Sequence, residues 1–163
     1  MKTIQKIVLI TILTAFQFCK SQDAQKYAVE YNKVVPKLQI LASEKQKFYN
    51  QNFSDLLSEF DKKNIKIYNY TFFGKTDTSE KVYIIRLMLY NRNDFDKAIN
   101  TGYQIPIMQI FFEDQIPDEI KTLTRKYEGK LTPEVRDFLA NRKIEKIEFY
   151  GINGLKSTDR SVR

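Results

Sequence analysis

Residues 65–73 read IKIYNYTFF and residues 81–90 read KVYIIRLMLY. Side chains alternate across a strand, so residues two apart share a face. Lys66, Tyr68 and Tyr70 therefore fall together in the first run. Two β-rich runs around the polar stretch 74–80 (GKTDTSE) predict a hairpin. If Phe73 faces Lys81, then Tyr70 faces Ile84, Tyr68 faces Arg86 and Lys66 faces Met88. Ile65 and Ile67 meet Leu89 and Leu87 on the other side. This register separates an aliphatic face, for helices to cover, from a face rich in Tyr, Lys and Arg. A one-residue slip would mix the two. Aromatic rings beside cations can stack on sugars, bases or peptide side chains. Lys66, Tyr68, Tyr70 and Arg86, joined by Tyr150 of the last strand-like run, are thus the candidate binding residues. The plainer explanation is that strands favour Tyr whatever their function.

Carboxylates are the second source of chemistry. Glu113 and Asp114 follow a strand-like run, Asp118 and Glu119 precede a helix, and Glu148 lies in the last strand. Paired carboxylates can perform acid–base hydrolysis across a cleft. Acids at a helix start also stabilise its dipole with no further role. A third candidate, NRNDFD at 91–96, is rich in side-chain oxygen. It lacks the glycine and the alternating ligands of a calcium loop, because Phe95 and Asp96 stand in their places. It reads as a turn and helix cap.

What is missing excludes more. The chain has no His, no Trp and one Cys. Serine triads and Cys–His nucleophiles are excluded, as are ordinary zinc sites. No nucleophile elbow, phosphate loop or dinucleotide fingerprint occurs. No cofactor is expected, no catalytic residue is assigned, and the reading leans away from an enzyme.

The lone cysteine, Cys19, sits at the end of an N-terminal pattern. Lys2 and Lys6 precede a mostly apolar run over 7–18, too short to span a bilayer comfortably. This is the form of an export signal. Cleavage after Ser21 would leave Cys19 at −3 and a cysteine-free mature chain from Gln22. The alternative is lipidation of Cys19, for which Gln17 and Phe18 are poor preceding residues. Losing residues 1–21 would leave 24 basic against 20 acidic residues, a net charge of +4. That mild balance is not the clustered charge of a nucleic-acid binder. Abundant Ile, Phe, Tyr, Lys and Asn with few Gly and Pro suggest a low-GC bacterial source. The expected location is periplasmic or secreted, with membrane attachment only if Cys19 is acylated. The expected partner is a protein or a small envelope ligand.

The positioning elements follow from periodicity. Residues 25–50 read as helical, with Pro36 predicting a break near Val35. Phe53, Leu56, Leu57 and Phe60 follow i, i+3, i+4, i+7 spacing after the cap Asn52. A short helix over 93–100 should stop at Gly102. Residues 104–112 are a third strand, which Pro106 places at an edge or a bulge. Helices after Pro117 and Thr132 and a strand over 144–150 complete the chain. The expected fold is α+β, with N-terminal helices followed by a four-stranded, mostly antiparallel sheet (β-β-α-β-α-α-β) and helices on one face. The division is a signal peptide at 1–21, one domain at 22–152 and a flexible basic tail at 153–163. The functional expectation is a non-catalytic binding module of the bacterial envelope. The alternatives are a small carboxylate hydrolase of the envelope and an inhibitor or immunity-type protein.

Overall fold

The computed structural model describes residues 24–163. The leader and Cys19 lie outside the described residues. The first helix, α1, runs over 24–43, and a short 3-10 turn follows at Lys45–Phe48. Tyr27, Tyr31, Val35, Leu38 and Leu41 form its buried stripe. Each such side chain contributes roughly 1.5–3 kcal/mol of burial. Pro36 does not break α1, contrary to the sequence expectation. It is exposed, as is Asn32 one turn earlier, so the carbonyl that loses its amide partner faces water.

Helix α2 spans Phe53–Lys62 and buries the four residues of its apolar spacing. Strands β1 (Asn69–Phe73) and β2 (Val82–Met88) form the hairpin. Helix α3 (Arg92–Thr101) is capped by the Asn91 side chain, which accepts the Asp94 amide at 3.0 Å. Gly102 ends it in the left-handed region. Strand β3 (Ile107–Ile116), helices α4 (Glu119–Lys126) and α5 (Pro133–Leu139), and strand β4 (Ile144–Tyr150) complete the domain. The fold is α+β. The sheet is an antiparallel meander in the order β1-β2-β3-β4. Pro106 precedes β3, which occupies the centre of the sheet; of the two expectations the edge fails and the bulge holds, since β3 shifts register opposite Val82 and Ile84 and again between Phe111 and Phe112. The proline has no ladder bond to lose there.

The hairpin register differs from the expected one. Phe73 pairs with Ile84, Tyr70 with Leu87 and Asn69 with Met88. That is three residues away from the pairing in which Phe73 faces Lys81. An odd shift turns β1 over relative to β2. Tyr70 and Phe72 now share a face with Ile85 and Leu87. Met108 and Ile110, then Phe149 and Ile147, extend that face across β3 and β4. The helices bury it.

Both edges of the sheet are partly closed. At β1, the Tyr70 amide donates to the Gly129 carbonyl at 2.7 Å. Gly129 has a φ of 73°, and a Cβ there would lie 2.9 Å from the Tyr70 oxygen. At β4, Ile144 exchanges backbone bonds with Asn50 and Gln51, and Phe149 does so with Arg163. Such closure blocks strand-to-strand association. Residues 153–163, expected as a flexible tail, are hydrogen-bonded to the body. The buried Gln104 donates its side-chain amide to the Ser157 and Asp159 carbonyls at 2.9 and 2.6 Å. Its backbone carbonyl accepts the Tyr27 hydroxyl at 2.6 Å. One residue thus ties the tail to α1.

Candidate functional site

The sheet face away from the helix-covered core is a grid of three cross-strand rows. Phe73, Ile84, Phe111 and Lys146 form one row. Thr71, Arg86, Gln109 and Glu148 form the middle row, and Asn69, Met88, Ile107 and Tyr150 the third. Directly opposed side chains lie close enough to interact, so the rows are also interaction networks. On the helix side Ile85, Leu87, Met108 and Ile110 are fully buried. On this side most residues are half-buried or exposed; the exception is Ile84, flanked by Phe73 and Phe111.

The middle row holds the polar chemistry. The Gln109 amide, oriented with its oxygen toward Arg86, accepts Arg86 Nη2 at 2.6 Å and Nε at 3.0 Å. The other amide atom lies 3.4 Å from the Tyr150 hydroxyl. That hydroxyl donates to Glu148 Oε2 at 2.6 Å, and Lys146 Nζ reaches Glu148 Oε1 at 2.7 Å. Two cations cover rings in the first row. Arg86 Cζ stands 4.5 Å from the Phe73 centroid, and Lys146 Nζ 4.2 Å from that of Phe111. The result is one chain from Phe73 through Arg86, Gln109, Tyr150, Glu148 and Lys146 to Phe111. Each cation is fixed by a ring and a hydrogen-bond partner, so little side-chain entropy remains to be lost on contact.

The ionisation states follow from this network. Burial pushes the Glu148 carboxyl up, but Lys146 and Tyr150 outweigh it and hold the group below its ordinary value. Burial, then the bond to Glu148, push the Tyr150 phenol up to about 12, against a smaller opposing pull from Arg86. Glu148 is therefore a fixed anion, the reverse of the raised carboxyl that a general acid needs. Glu113, Asp114, Asp118 and Glu119 are exposed. Asp114 lies in a shallow cleft with Arg142 and Lys143, not opposite another acid. Among the described residues no group of three or more acids could hold a metal ion. Asn91 and Asp94 are spent on the α3 cap.

The five sequence candidates are divided among three places. Arg86 and Tyr150 meet on the open face, through Gln109. Tyr70 does not belong to a site: it is 1 % exposed, on the helix side, and its hydroxyl is 2.8 Å from Thr124 Oγ1. The three-residue difference in register is the cause. Lys66 and Tyr68 precede β1 and lie in a separate cleft beside α1. There Lys66 Nζ stands 4.4 Å from the Tyr68 ring. Gln109, Phe73, Phe111 and Lys146 were absent from the candidate set. Gln109 carried a signal, since it is the one polar residue of the run IPIMQIFF.

Comparison with protein-family models, with curated proteins and with solved structures found no match.

Proposed function

We propose that this chain is an exported, non-catalytic binding module that engages a protein partner through the open face of its sheet. The observation that carries the reading is the pre-ordered Arg86–Gln109–Glu148–Tyr150 network bordered by Phe73 and Phe111. Arg, Tyr and other aromatics are the residue types that dominate protein–protein hot spots. The network lies on the open face of the sheet, and none of its residues lines the clefts beside α1, beside α2 or around Asp114. An open sheet face suits a macromolecule better than a small ligand, whose sites are concave. Its charges alternate in sign, with Arg86 and Lys146 around Glu148, which favours a mixed protein surface over a polyanion. Export rests on the leader pattern, with cleavage after Ser21 releasing a chain free of cysteine.

The test is site-specific photo-crosslinking in the producing cell. A photoreactive side chain in place of Thr71, exposed in the same row and outside the network, should give one discrete adduct. The same group in place of Ser58, on the exposed side of α2, should not. In the Thr71 background, Arg86→Ala should remove the adduct without altering the fold. Equal adducts from both positions, or none from position 71, would contradict the reading.

A further inference from the structure

A second site lies away from the open face, where α1, the segment before β1 and the start of α3 meet. Lys26, Glu30, Lys33 and Lys37 recur at helical spacing and form one stripe of α1. The chain leaving α2 brings Lys66 and Tyr68 against this stripe, and the first turn of α3 closes the third side. The enclosed cleft has a volume of about 470 Å³, within the range of small-ligand sites.

Its acids are already occupied. Glu30 holds Lys33 at 3.1 Å. Asp94 holds the Asn91 amide at 2.8 Å, with Lys97 at 3.8 Å. Lys37 Nζ donates to the Lys63 carbonyl at the end of α2, at 2.7 Å. Lys26 and Lys66 have no acidic partner among the described residues. The Tyr68 ring holds the Lys66 ammonium in place at 4.4 Å. A further, independent observation concerns Tyr90, which also lines the cleft. It is 6 % exposed, and its hydroxyl has no hydrogen-bond partner among the described residues. A buried, unused donor of this kind costs stability, and a ligand acceptor would satisfy it.

Ammonium groups in excess and an unused hydroxyl call for a compact anion with several acceptor oxygens. Lysine meets such a group as a point charge. We propose that this cleft binds a phosphate group, borne by a small soluble molecule or a lipid headgroup, with Lys26 and Lys66 as its principal charge partners. The site is independent of the protein-binding face.

The experiment is an amide NMR titration of the chain from Gln22, at constant ionic strength. Inorganic phosphate is the soluble probe, and phosphatidylglycerol vesicles are the lipid probe. Saturable shifts confined to residues 64–68 and 89–94 and to the first turns of α1 are expected. The exposed pair Lys26→Gln and Lys66→Gln should weaken binding by about tenfold or more while the remaining spectrum is preserved. A response to phosphate without vesicle binding assigns the group to a soluble ligand; vesicle binding lost in the double variant assigns it to a headgroup. The proposal is overturned if neither probe gives saturable shifts in the cleft, or if the double variant binds both as well as the original chain.

Discussion

Tyr70 separates the two possible hairpin registers by experiment. In the structure its ring is 1 % exposed and its hydroxyl meets Thr124 on α4. Tyr70→Ala removes a fully buried aromatic side chain, a change that costs about 3–5 kcal/mol. Whole domains hold only about 5–15 kcal/mol, so this variant loses much of its stability. Tyr70→Phe keeps the packing and removes only the hydroxyl, at a cost of about 1 kcal/mol. That corresponds to a fall in unfolding midpoint of about 4 °C. Urea unfolding followed by circular dichroism measures both, and Thr124→Val with Tyr70→Phe completes a double-mutant cycle. The cycle should show coupling of about 0.5–1.5 kcal/mol. In the register where Phe73 faces Lys81, Tyr70 would instead be exposed beside Arg86. Tyr70→Ala would then change stability by no more than about 0.5 kcal/mol. That result, or a cycle with no coupling, would refute the placement of the open face.

Three further expectations concern other parts of the molecule. Gly151 has a φ of 68°, and a Cβ there would lie 2.1 Å from the Ile105 oxygen; Gly102 has a φ of 69° and open space around it. Gly102→Ala should cost only the left-handed term of about 1–2 kcal/mol, and Gly151→Ala distinctly more, in paired thermal melts. Tyr90→Phe removes a buried hydroxyl without a partner among the described residues, so the unliganded protein should unfold at the same or a higher temperature. The Tyr150 phenolate should appear near pH 12 in an ultraviolet titration, and Glu148→Gln should move it back toward 10. Because folding favours the neutral phenol, its contribution to stability is intact below pH 10 and is lost as pH rises toward about 12. Glu148 has the opposite sign: its depressed value stabilises the fold above the ordinary glutamate range of about 4.3, and this is lost as pH falls through the depressed value.

The elements were legible where one residue type answers one local demand. The apolar spacing of α2, the αL position of Gly102 and Pro133 opening α5 are such cases, each read from a few neighbouring residues. The α+β class followed from the order of these elements. Register was not legible, because it depends on how far the chain travels between strands. The expected pairing assumed that the strands meet across residues 74–80, whereas Phe73 pairs with Ile84. This three-residue difference moved Tyr70 into the core while leaving Arg86 on the open side. Arg86 and Tyr150 could be named from sequence, but their link could not, since it runs through Gln109 on the strand between them. The attachment of residues 153–163 was not legible for a similar reason. Its anchors are backbone carbonyls accepting from Gln104, and carbonyls are alike in every sequence.

If the open sheet face, and not the helical side, meets the partner, positions 71 and 58 should crosslink differently. The most direct measurement is the ratio of photo-crosslinked adduct from position 71 to that from position 58 in the producing cell, with and without Arg86→Ala. A discrete adduct from position 71 alone, lost when Arg86 is replaced, is expected. An adduct of equal yield from position 58, or one from position 71 that survives Arg86→Ala unchanged, would overturn the proposed binding face.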